Sequence, residues 1–101
     1  MKRIIDGKIY NTDTATRIGS HVCFIRGDFR FEDTDLYKTK KGAWFIAGEG
    51  GPLSRWSQPC GNGQRGGSGI EVMTTAEALD WCEFAGVDAD VIAEHFTVIE
   101  A

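Results

Sequence analysis

Eight of the thirteen glycines fall between residues 48 and 69, and this crowding constrains the fold more than any other feature of the chain. Glycine loses more backbone freedom on folding than any other residue, so it weakens helices and strands alike. Gly48-Glu49-Gly50-Gly51-Pro52, Ser54-Arg55-Trp56 and the run from Cys60 to Gly69 therefore read as one irregular connection. A loop of about twenty residues is uncommon inside a compact domain and is either functional or mobile. It separates a β-patterned N-terminal part from a helix-patterned C-terminal part.

Before the glycine-rich stretch the signals are those of hairpins. Asp6-Gly7 supplies the positive φ angles of a type I′ turn, with β-formers on both sides over residues 3–10. Thr12, Asp13 and Thr14 suit the cap of a short helical turn over 14–18. Residues 21–26 follow as a strand closed by Gly27-Asp28. Residues 35–40 and 43–48 flank Lys41-Gly42 as a second hairpin. A two-residue turn sets Tyr37 opposite Ile46 and Leu36 opposite Ala47, whereas a three-residue loop shifts every pair. Apolar groups occupy both faces in the first register. One face must meet the core, and the other needs a covering helix or is a binding surface.

After residue 69 the period changes. Ile70-Glu71-Val72-Met73 alternates as a strand, and Thr74-Thr75-Ala76-Glu77 has the form of a capping box. A helix is expected over 75–85, with Ala78, Leu79, Cys82 and Ala85 facing inward and Trp81 and Phe84 flanking. Gly86 ends it, and Asp88 caps a second helix over 89–96 with Val91, Ile92 and Phe96 inward. The 101 residues make one domain the expectation. The predicted class is α+β, an antiparallel sheet of short strands and hairpins with two C-terminal helices on one face.

Charge is unevenly spread. Residues 1–65 hold all eleven Lys and Arg against seven acids, whereas residues 66–101 hold eight acids and no Lys or Arg. The C-terminal part should repel nucleic acid and attract a basic surface. No run of about 18 apolar residues exists to span a membrane, and the N-terminus turns polar too early for a signal peptide. Three widely spaced cysteines, Cys23, Cys60 and Cys82, suggest no disulfide framework. A cytoplasmic setting without membrane attachment is the expectation.

Candidate chemistry is sparse. Gly61-x-Gly63-x-x-Gly66 matches a dinucleotide-binding pattern but is followed by more glycine where a helix should open. His21-x-Cys23 approaches a metal-ligand spacing, but no zinc-type motif is complete, so neither metal nor cofactor is expected. Glu49 and Cys60 are the residues an enzyme would use, with no accompanying motif, and no catalytic residue is assigned. Lys38, Lys40 and Lys41 beside Tyr37 and Trp44 have the make-up of a small nucleic-acid surface. Lysines at a hairpin tip are more commonly a solvated edge that blocks aggregation. A ligand-binding alternative uses the glycine-rich loop, with Glu49, Arg55, Trp56 and Arg65 holding an anionic or nucleotide ligand. Trp56 is equally suited to pinning the loop to the body of the domain.

Three segments, Lys2-Arg3-Ile4-Ile5-Asp6-Gly7-Lys8-x-Tyr10-Asn11-Thr12, Leu36-Tyr37-x-Thr39-Lys40-Lys41-Gly42-x-Trp44-Phe45 and Gly48-Glu49-Gly50-Gly51-Pro52-Leu53-Ser54, together with Thr75-x-Glu77-Ala78-x-x-Trp81, resemble a group of small hypothetical proteins of bacterial phages, prophages and conjugative elements. The resemblance implies a mobile-element setting, in which small acidic proteins often block host defence, as anti-CRISPR proteins do. It carries no residue-level activity. The expected function is then non-enzymatic inhibition of a host protein or ribonucleoprotein complex. Glu77, Asp80, Glu83, Asp88 and Asp90 would engage its basic, nucleic-acid-binding surface, with no direct nucleic-acid binding by the chain itself.

Overall fold

The structure, a computed structural model, describes residues 1–101 and has three layers around one four-stranded antiparallel sheet. The N-terminal hairpin pairs β1 (Lys2–Ile5) with β2 (Lys8–Asn11). Asp6 and Gly7, at φ 51° and 73°, make the expected two-residue turn. The central sheet has the order β3-β4-β5-β8, from β3 (Thr16–Cys23), β4 (Glu32–Lys38), β5 (Trp44–Gly50) and β8 (Gly67–Met73). Between β5 and β8 a small hairpin joins β6 (Gln58–Cys60) to β7 (Gly63–Arg65). The helices α1 (Thr75–Ala85) and α2 (Ala89–His95) close the chain. The α+β class with both helices on one face is what the sequence predicts.

The central hairpin takes the three-residue loop. Tyr37 pairs with Phe45, Leu36 with Ile46 and Lys38 with Trp44. Thr39 N–H donates to the Ala43 carbonyl at 2.8 Å, leaving Lys40, Lys41 and Gly42 as the loop. Gly42 lies at φ 88°, the left-handed position that such a loop requires. This register sorts the side chains by size and partner. Leu36, Trp44 and Ile46 face the helices and meet Ile18, Ala78, Trp81, Cys82 and Phe96 in the larger core. Phe45, Ala47 and Ile70 face the other way and are sealed by Tyr10 of the N-terminal hairpin. The Phe45 ring meets Tyr10 edge-on at 5.6 Å and stacks on Tyr37 at 5.2 Å. The second apolar face is thus covered by a hairpin, neither by a helix nor left open.

Two N-terminal expectations are corrected. Residues 14–18 do not form a helical turn. Asn11 Oδ1 accepts from Asp13 N–H at 2.9 Å and Asn11 carbonyl from Ala15 N–H at 3.1 Å, a single turn after which β-branched Thr16 and Ile18 enter β3. The strand expected at 21–26 is 16–23. It ends where Phe24 takes φ 60°. A bulge between Arg17 and Gly19 shifts the register and lets Ile18 into the helical core.

The glycine-rich stretch is also more regular than its composition suggests. Gly67, Ser68 and Gly69 pair with Gly50, Glu49 and Gly48, extending β8 by three residues beyond the predicted strand. These glycines make room for a side chain. A Cβ on Gly48 would stand 2.7 Å from the Trp56 indole nitrogen, and one on Gly69 3.3 Å from its six-membered ring. Trp56 lies on a strip of bare backbone and is only 6% exposed. At Gly48 the added carbon would also come within 2.3 Å of the Asp33 carbonyl oxygen. Gly48→Ala should therefore cost about 1–3 kcal/mol by overpacking, lowering Tm by several degrees in thermal denaturation. Gly61→Ala, facing open space, should cost only the left-handed backbone penalty at φ 58°, about 1–2 kcal/mol.

Candidate functional site

The helices carry the acidic surface, and local chain chemistry accounts for most of its members. Thr74 Oγ1 accepts from Glu77 N–H at 3.1 Å while a Glu77 carboxylate oxygen accepts from Thr74 N–H at 2.9 Å, completing the capping box. These two hydrogen bonds hold the Glu77 carboxyl below the usual glutamate range. Asp88 caps α2 by accepting from Asp90 N–H at 2.8 Å, and Asp90 sits in the first turn, where the helix dipole favours a carboxylate. Asp80 and Glu83 differ. Both are exposed, neither joins any of the four ion pairs, and they stand three residues apart, where like charges repel. Glu83 also lies near the C-terminal end of α1, whose last turn contains no basic residue.

Beside them stands Phe84, which helical spacing places at the margin of the apolar face. Its neighbour on that margin, Trp81, is buried in the core, but Phe84 is 70% exposed, its ring set edge-to-face with that of His21 at 4.8 Å. An exposed aromatic next to Glu83 and one helical turn from Asp80 is a surface that sequence periodicity alone could not separate from a core flank. His21 Nε2 lies 2.8 Å from Cys23 Sγ on the same face of β3, a contact that only i, i+2 alternation hints at. None of the three cavities is lined by either residue. Cys82 is fully buried, and burial pushes its thiol pKa up, which makes it an inert packing residue. Cys60 is exposed on β6.

The four residues of the ligand-binding alternative are not gathered into one place. Trp56 is pinned: its indole N–H donates to Thr34 Oγ1 at 2.9 Å, and Thr34 in turn donates to Glu32 at 3.1 Å. The other Glu32 carboxylate oxygen accepts from Arg55 N–H at 3.2 Å. The Arg55 guanidinium reaches Glu71 at 2.9 Å. Glu49 alternates with Gly48 and so shares the opposite face of the sheet with Ala47, where Arg26 donates to it at 2.7 Å. Arg65 is exposed on β7, and none of the cavities is lined by Arg55, Trp56 or Arg65. The run Gly61–Gly66 is mostly hairpin and opens no helix.

Glu49 lines the two smaller cavities, without the other three residues. The largest, about 460 Å³, is set between the turn of the N-terminal hairpin and the loop of the central one. Lys8, Lys40 and Lys41 line it together with Thr14 and Thr39. Lys8 was not among the residues that sequence pattern singles out, because nothing local relates residue 8 to residues 40 and 41. Comparison with protein-family models, curated proteins and solved structures returns no match.

Two measurements follow from these contacts. Thr34→Val removes the only hydroxyl that the buried Trp56 indole meets and should destabilise the fold by about 1–3 kcal/mol, read as a lower urea midpoint. Glu77 has a depressed native pKa, so the stability it adds is present above the unfolded value and lost as pH falls through the native one. Glu77→Gln, which keeps an acceptor in the capping box, should flatten that part of the acid limb in a series of urea melts against pH.

Proposed function

We propose that the chain is a non-enzymatic protein-binding module that docks through the outer surface of α1 on a basic surface of a partner. The observation that carries this reading is the state of Asp80 and Glu83. They are exposed and unpaired, and they occupy positions where the fold gains nothing from their charge. Phe84 between them and the sheet edge adds an apolar anchor within a charged rim, the anatomy common to interaction hot spots. A lysine- and arginine-lined surface of the kind that binds nucleic acid is the complementary partner, and association should be fast and salt-sensitive.

The resemblance to proteins of phages and mobile elements supports the finer reading that this partner is a bacterial defence complex, inhibited when its basic surface is covered. Glu77, Asp88 and Asp90 would contribute to the field as secondary members, since each already serves its own helix end. Expressed in bacteria that each carry one active defence system, the chain should restore phage plaquing against at least one of them. The Asp80→Lys/Glu83→Lys variant should lose that protection by about tenfold or more with no fall in Tm, as should Phe84→Ala. Protection that survives both changes would rule out the acidic surface. Failure to protect against any system would remove the defence reading.

A further inference from the structure

The cleft between the two hairpin turns has a composition that neither the fold nor the acidic surface explains. Its lining comes from Gly7, Lys8, Ile9 and Tyr10 on one side, with Thr14, and from Thr39, Lys40, Lys41 and Ala43 on the other. Lys8, Lys40 and Lys41 are its only charged members. The other two cavities mix or invert that charge: one holds Arg26 with Asp28 and Glu49, the other Asp33, Asp35 and Glu49. None of the three lysines belongs to any of the four ion pairs. A lysine at a hairpin tip blocks edge-to-edge association, and that accounts for Lys40 and Lys41 taken alone. Lys8, next to the Asp6-Gly7 turn, has the same role in its own hairpin; that role does not explain why the two tips meet so that all three lysines line one hollow with no acid among its lining residues.

Thr39 adds a donor. Its Oγ1 accepts from Ala43 N–H at 2.9 Å, which fixes the oxygen at the loop and leaves the hydroxyl proton free to turn. Tyr10, buried at 5% exposure, and Ala43 give the cleft an apolar base, and Ile9 stands exposed beside it. About 460 Å³ lies within the range of small-ligand sites, which are apolar hollows with a few convergent polar groups.

We propose that this cleft binds a polyphosphate group, held by Lys8, Lys40 and Lys41 as point charges and by the Thr39 hydroxyl as a hydrogen-bond donor. The group is that of a nucleoside di- or triphosphate or of an inorganic polyphosphate. The inference is independent of the proposed docking surface, since the cleft is built entirely from the first 43 residues.

The test is an amide NMR titration of the full chain at low salt, with inorganic tripolyphosphate and ATP as separate probes. Saturable shifts confined to residues 7–10, 14 and 39–43 are expected. Lys40→Ala/Lys41→Ala and Lys8→Ala should each weaken binding by about tenfold or more, while Lys2→Ala, on an exposed strand outside the cleft, should change it less than about twofold. These lysines are exposed, so the variants keep the fold and its amide spectrum elsewhere. Equal affinity for the two probes assigns the site to free polyphosphate. Markedly tighter binding of ATP assigns it to a nucleotide, with the base against Ile9 and Ala43. Absence of shifts at millimolar probe, an equal loss with Lys2→Ala, or displacement of either probe by a single-stranded RNA whose shifts spread over the whole N-terminal part would overturn the proposal.

Discussion

The structure depends on one strand being buried on both sides. Trp44, Phe45, Ile46 and Ala47 are consecutive and all lie at 5% exposure or less. A strand alternates its side chains between faces, so four successive buried residues demand cover above and below. The helices supply one cover and the N-terminal hairpin the other. Neither could be removed without exposing an aromatic: Trp44 stacks on Phe96 at 4.5 Å on one side, while Phe45 meets Tyr10 on the other. A chain of 101 residues thereby sustains two cores, of which the helical one is the larger.

A second constraint is the seating of Trp56. The glycines that make the sequence look irregular are the reason a bulky indole can lie flat on the sheet, and the indole in turn needs Thr34 to satisfy its nitrogen. Thr34 is the one buried polar residue, and it is bonded on both sides. Glycine content here reports close approach of a side chain to backbone, which composition alone does not separate from loop flexibility.

That difference explains what the sequence revealed and what it hid. The Asp6-Gly7 turn, the Thr74–Glu77 capping box, the Gly86 stop and the Asp88 cap are local chemistry, and all four occur where pattern places them. The α+β class and the helical layer follow from periodicity. Hidden were the features set by partners distant in sequence: the extension of β8 across the glycine run, the bulge at Ile18, and the hairpin as the second cover. The same holds for the surfaces. The acids of the last third are visible in the letters, but only the caps show which of them the fold already employs. The convergence of Lys8 with Lys40 and Lys41 depends on two hairpins meeting in space.

The Lys40-Lys41-Gly42 loop sets more than a turn. Adding or deleting one residue there would invert the parity of β5 against β4 and hand Phe45 to the helices and Trp44 to the hairpin, exchanging the contents of the two cores. The loop is thus constrained in length and, at Gly42, in backbone angle, while its two lysine side chains answer to neither demand. What those positions carry is free to be chosen by whatever meets them from outside.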